Sequence, residues 1–194
     1  MLKTIIFLFS VLILTNPITT VFADSNTFEE AVTWLEKESH RLIHASRRTM
    51  LDGTAAFPPQ VGIGYEAFWL RDFVYTLEGS ITSYSEKELR EACRLFVDKV
   101  REDGAGVDCV KFDGSPIYKP GYGTMGANPV ADGSQFTVAV AWHTYQRTQD
   151  LKFLREIIDT LVKTMNFVPR NPKSGLVHIK NRISPCIRTV SVKP

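Results

Sequence analysis

The chain has 194 residues, 23 basic and 21 acidic side chains, a formal charge of +2 and 44% hydrophobic residues. Disordered tails and polybasic nucleic-acid arms combine low hydrophobicity with large net charge, so this composition excludes both. The positive surplus sits at the ends: Lys3 near the start, and Lys180, Arg182, Arg188 and Lys193 in a final segment without an acid. The body from Asp24 to Ile179 holds 18 basic against 21 acidic residues and carries no electrostatic footprint for nucleic acid.

Lys3 precedes an apolar run from Ile5 to Leu14 broken only by Ser10, and Val21-Phe22-Ala23 closes it with a small residue. This pattern predicts a secretory signal peptide cut after Ala23, because the run is too short to span a bilayer; an uncleaved anchor is the competing reading. A secreted or extracytoplasmic protein follows, with no stable membrane span after cleavage.

Thr27 with Glu30 three positions later predicts a capping box, and Phe28, Ala31, Val32, Leu35, Leu42 and Ile43 follow at helical spacing to about Arg48. Pro58-Pro59 and neighbouring glycines forbid regular structure between Asp52 and Gly64. A second helix is expected from about Tyr65, carrying Phe68, Trp69, Phe73 and Leu77, with Gly79 ending it. Ser85 and Glu88 predict another capping box, opening a helix whose apolar stripe is Leu89, Cys93, Phe96, Val97 and Val100.

From Asp103 to Asp132 the density of glycine and proline leaves room for neither a long helix nor a central strand, and loops of that length are usually functional. A fourth helix is expected from Ser134 to Arg147 with Phe136, Ala139, Val140 and His143 on one side. A fifth runs from Leu151 to about Phe167, where Pro169 and Pro172 bar continuation. The fold class is therefore all-α. Cys93 and Cys109 either pair or remain free buried thiols, with Cys186 left over.

At an offset of 65 residues the chain resembles itself. Leu89-Arg90-Glu91 returns as Leu154-Arg155-Glu156, while Phe96, Val97 and Val100 return as Leu161, Val162 and Met165. This predicts a repeated helical hairpin. With an antiparallel helix between them, the second and fourth helices run parallel and their starts share one rim. That rim would carry Tyr65, Glu66, Trp69, Arg71 and Asp72 from one helix and Asp132 from the other.

An indole stacks on the apolar face of a sugar ring, while an arginine fork and a carboxylate hold paired hydroxyls; one helical turn would present Trp69, Arg71 and Asp72 together. The competing reading is an aromatic core face with Arg71 and Asp72 as a local ion pair. Asp132, followed by Gly133 and Ser134, also reads as an ordinary helix cap. His143 reads as a core histidine, and His40 with His44 as a solvated helix face, since no nearby carboxylate completes a metal motif.

Tyr65-Glu66-Ala67-Phe68-Trp69-Leu70-Arg71-Asp72-Phe73 resembles the Trp-x-Arg-Asp segment of the six-hairpin glycosidases, the (α/α)6-toroid enzymes that include glucoamylases and exo-mannosidases. Asp132-Gly133-Ser134-Gln135-Phe136, Thr148-Gln149-Asp150-Leu151 and Ser174-Gly175-Leu176-Val177 are similar to inner-helix starts, hairpin turns and post-hairpin turns of that group. The resemblance covers about Phe28 to Ile179 and implies antiparallel hairpins forming part of a toroid.

By the same resemblance Trp69, Arg71 and Asp72 line the subsite for a terminal sugar, with Tyr65 and Glu66 beside them. The family's catalytic glutamates lie on later loops, beyond this chain. Glycoside hydrolysis ordinarily needs two carboxyl groups flanking the scissile bond, and Asp72 and Asp132 are the best pair here.

The expectation is a glycoside-hydrolase-like protein that acts on oligosaccharide or polysaccharide, without metal or cofactor, and of doubtful turnover in a short chain. The alternative is a noncatalytic extracellular glycan-binding or helical interaction module. The switch to a basic, aperiodic segment at Lys180 predicts a tail foreign to the family, the product of a truncated or frame-altered reading.

Overall fold

A computed structural model describes residues 25–62, 64–119, 129–130, 132–168 and 170–177. The leader through Ala23, residues 120–128 of the glycine-rich segment, Cys186 and the basic tail lie outside the described residues. The chain divides into two compact units, Met1–Glu38 and Ser39–Pro194. In the first, the described residues belong to helix α1 (Ser25–Ser46), which continues into the second. α1 is already helical at Ser25, so Thr27 lies inside its first turn and the expected capping box does not open it.

α1 stops at Ser46, short of the expected Arg48, because Arg48–Thr49 (β1) pairs antiparallel with Ala55–Ala56 (β2). The reversal is a tight turn: Met50 N–H donates to the Thr54 carbonyl, Asp52 Oδ1 accepts from Thr54 N–H at 2.9 Å, and Gly53 takes a φ of +89°. That left-handed backbone favours glycine.

A second antiparallel sheet, in the order β3-β4-β5, joins Ala67–Trp69 (β3), Cys109–Lys111 (β4) and Pro116–Ile117 (β5). Two expectations are corrected here. The fold is mostly helical rather than all-α, and a central strand does occur in the glycine-rich segment, where Cys109–Lys111 bonds to a neighbour on each side. Three residues of Cys-Val-Lys suffice for that strand because the flanking turn residues, such as Gly114 at φ +86°, let the chain reverse immediately.

The other helices are α2 (Leu70–Ser80), α3 (Glu86–Asp98), α4 (Gly133–Thr148) and α5 (Leu151–Phe167), with a 3-10 turn at Ile81–Ser83. The capping box of α3 forms as expected: Ser85 Oγ accepts from Glu88 N–H at 3.2 Å, and Glu88 Oε2 accepts from Ser85 N–H at 3.0 Å. Sixty-five positions later Asp150 caps α5, its Oδ1 accepting from Phe153 N–H at 2.9 Å, after a hairpin turn in which Gln149 takes a φ of +51°. The repeat therefore reaches the capping residues themselves.

Paired contacts fix the helix directions. Arg71 bonds Asp132 and, one turn on, Tyr75 meets the Phe136 ring, so α2 and α4 run parallel. Arg90 faces Asp150 and Arg94 is ion-paired with Glu156, which makes α3 and α5 parallel too. Thr144 Oγ1, late in α4, lies 3.4 Å from the Leu89 carbonyl oxygen, early in α3, so these two are antiparallel.

The core lies where these helices meet the sheet. Phe68, Phe73 and Phe96 are fully buried, with Phe68 centroids 4.8 Å from Phe73 and 4.9 Å from Phe96, and Phe57 meets Tyr84 edge-on at 4.8 Å. On α4 the buried stripe is Gly133, Ser134, Thr137, Val140, Ala141 and Thr144. The helix is rotated from the expected face, because Thr137 and Thr144 satisfy their hydroxyls on backbone carbonyls one turn back. Phe136, Ala139 and His143 are therefore half-buried on a flank, and His143 is not a core residue.

Cys93 and Cys109 are both buried and free, and burial pushes each thiol up to about 12. No described helix is long and apolar enough to cross a membrane.

Candidate functional site

The expected second helix begins five residues late. Ala67–Trp69 is a strand, and Trp69 (φ −86°, ψ 122°) occupies the N-cap of α2. The cause is β4: Trp69 pairs with Cys109 and Phe68 with Val110, and Leu70 N–H continues the ladder to the Asp108 carbonyl at 3.1 Å. Tertiary pairing here overrides the helical spacing of the aromatics. The alternation of a strand sends Phe68 into the core and leaves Trp69 half-buried on the other side.

Trp69, Arg71 and Asp72 therefore do not project from one helical turn, as the spacing implied. They take the N-cap and the second and third positions of α2. Tyr65 stands edge-on to Trp69, with centroids 6.1 Å apart and planes at 84°, and is exposed, as is Glu66.

Arg71 joins the two helix starts. Its Nη2 lies 3.1 Å from Asp132 Oδ2 and 3.9 Å from Asp108 Oδ1, and its guanidinium carbon sits 5.8 Å from the Phe136 centroid. The ion pairs of Arg71 run to these aspartates rather than to Asp72, which replaces the local pair weighed from sequence. Asp132 occupies the N-cap position of α4, but its side chain makes no capping bond; with φ −108° and ψ −3° it turns to the arginine instead.

Asp72 makes no ion pair among the described residues. Burial raises its carboxyl above the usual range, opposed by its own backbone N–H and by the Arg71 charge. The Asp72 backbone carbonyl accepts from Thr76 Oγ1 at 2.8 Å.

Close backbone approach sets this geometry. A Cβ on Gly106 would stand 2.4 Å from the Gly133 carbonyl carbon, and one on Gly133 would stand 2.9 Å from the Gly106 oxygen. Two glycines thus let the segment that bears Asp108 and leads into β4 lie directly on the start of α4. Gly104, at φ +95°, makes a similar approach to the Lys163 carbonyl. Nearby, Arg101 grips Asp103 with two bonds of 2.8 and 2.6 Å, holding that carboxyl down at about 2.

Of the residues expected from sequence, the structure brings Arg71 and Asp132 into contact and sets Asp72 and Trp69 beside Arg71 in the chain, with Tyr65 against Trp69. Asp108, buried at 6% exposure, was missed, as were Tyr75 and Phe136. Its signal was the short apolar run Val107-Asp108-Cys109-Val110 interrupted by a carboxylate, hidden among glycines. His44 Nε2 bonds the Ser83 carbonyl at 3.0 Å and His40 stacks obliquely on His44, which accounts for that pair without a ligand. Residues 171–176 form a tight turn, closed by Asn171 N–H to the Leu176 carbonyl at 2.8 Å.

The cluster offers one guanidinium, three carboxyl groups and an aromatic pair, Tyr65 exposed and Trp69 half-buried, at the N-terminal ends of two parallel helices. No protein-family model, curated protein or solved structure matches this chain.

Proposed function

We propose that the protein is carbohydrate-active and glycoside-hydrolase-like, binding the terminal sugar of an oligosaccharide or polysaccharide at the shared rim of α2 and α4. The observation that carries this reading is Arg71, held between Asp108 and Asp132 next to Asp72 and Trp69. The indole and Tyr65 supply a wall for an apolar sugar face, Arg71 supplies donors, and Asp72 supplies an acceptor whose ionised form is less well solvated than usual. The hairpins that build this rim belong, on this reading, to an arc of an (α/α)6 toroid in an exported protein.

A second reading, glycan binding without turnover, is favoured by the Arg71–Asp132 pair. It engages one of the two carboxylates that hydrolysis would need on opposite sides of a glycosidic bond. A glycan array and a hydrolysis screen on the same chain, with Asp72→Asn beside it, decide between the two. Turnover by the parent that Asp72→Asn abolishes supports the hydrolase. Binding lost in that variant, with no turnover in the parent, supports the module. A parent that binds no glycan overturns both.

A further inference from the structure

The second hairpin repeats the apolar positions of the first but leaves them uncovered. On α3, Leu89, Cys93 and Val97 are buried at 0%, 0% and 2% exposure. Their counterparts 65 positions on are Leu154, which is half-buried, and Ile158 and Val162, which are 43% and 53% exposed. The inner helix does the same, since Leu77 is buried and its counterpart Trp142 is 55% exposed. α5 already buries Phe153, Ile157 and Leu161 and holds α3 through Glu156, so this second stripe faces away from α3.

Along α5 the stripe reads Leu151, Leu154, Ile158, Val162 and Met165, with spacings of three, four, four and three. That order is the same read in either direction about Ile158. Two copies of the helix laid antiparallel about a two-fold axis would set Ile158 on its own copy, Leu154 on Val162 and Leu151 on Met165. The flank is self-complementary as well. Arg155 and Asp159 are exposed charges of opposite sign one turn apart on one side of the stripe, and the same two-fold brings Arg155 of each copy to Asp159 of the other.

We infer that the α4–α5 edge is a homodimer interface, occupied by the same edge of a second copy of this chain through an antiparallel α5 pair centred on Ile158. The surface is independent of the proposed sugar rim, which lies on the α2 side of α4. The stripe from Leu151 to Met165 runs about 21 Å along the helix, and the exposed Trp142 of α4 widens the edge.

The test is sedimentation of the full chain over a range of concentrations. A concentration-dependent dimer is expected, and Ile158→Glu should weaken it at least about tenfold, or 1.4 kcal/mol. Arg155→Asp and Asp159→Arg should each weaken it, and the double exchange should restore it. With Cys186→Ser in place, Ile158→Cys should give a disulfide-linked dimer on mild oxidation, because the residue meets itself. Circular dichroism confirms that each variant is folded. A parent that stays monomeric, a dimer indifferent to Ile158→Glu, or charge exchanges without mutual rescue would overturn the inference.

Discussion

Replacing Gly106 with alanine tests the idea that backbone contact between two glycines sets the site. The new Cβ would stand 2.4 Å from the Gly133 carbonyl carbon, 2.5 Å from its oxygen and 2.8 Å from Ser134 N. Carbon atoms rest at about 3.5–4.0 Å, so the segment before β4 and the start of α4 must part by about 1 Å. The obstruction is helix backbone on every side and cannot rotate away as a side-chain tip would. Overpacking of this kind costs about 1–3 kcal/mol, and the rigid neighbour places Gly106→Ala near 2 kcal/mol, roughly thirtyfold in the folded-to-unfolded ratio.

The matched control is Gly79→Ala. A Cβ there meets nothing within 4 Å and lies in α2, so the helix gains about 0.5 kcal/mol from reduced backbone freedom. Urea denaturation followed by circular dichroism measures both. Because the displaced α4 start carries Asp132 away from Arg71, Gly106→Ala should also weaken the glycan binding proposed for the rim. A Gly106→Ala chain as stable as the parent would refute the close approach, and with it the account of how Asp108 and Asp132 come to share one arginine.

Asp72→Asn should stabilise the chain at neutral pH. The folded pKa of Asp72 is raised, so its ionised form is penalised above that pKa; the gain should fade as pH falls through the carboxylate range, and an unchanged urea midpoint at pH 7 would contradict it. Asp103 has the opposite sign. Its folded pKa is held at about 2, so its contribution is present above its unfolded value and is lost only as pH falls toward 2, which Asp103→Asn should reveal as a narrowed stability difference in acid. Ser85→Ala should cost about 1 kcal/mol by removing the acceptor for Glu88 N–H, and Asp150→Ala a similar amount at α5; a cost confined to one of them would break the parallel between the hairpins. Cys93 and Cys109 should resist a thiol reagent until the chain is denatured, since burial holds both as neutral thiols, and rapid native-state labelling of either would show the core to be open.

The α-helices were legible because their signals are local. The Ser85 box and the apolar periods of α3 and α5 lie within a few residues of one another, and the structure reproduces their limits closely. Long-range pairing produced the departures. Nothing near Ala67–Trp69 announces a strand; it exists because Cys109–Lys111 lies alongside, forty or more positions away. The same pairing hid Asp108 and separated Trp69 from the helical turn that bears Arg71. Asp132 was legible as the start of α4 but not in its partner, since the choice between a backbone N–H and a guanidinium depends on where another helix begins.

The charge at the rim limits the ligands it suits. Two parallel helices bring their N-termini to one side, each equivalent to roughly half a positive charge. Against these stand Asp72, Asp108 and Asp132, with Arg71 as the guanidinium among them. Helix starts alone would attract phosphate, but here the carboxylates turn that attraction back and occupy the guanidinium face an anion would seek. A neutral polyol meets no such repulsion: its hydroxyls donate to carboxylate oxygens and accept from remaining N–H groups. On the proposed reading its apolar ring face would lie against Tyr65 and Trp69. The features that make the rim a poor anion site are thus the ones on which the proposed sugar reading rests.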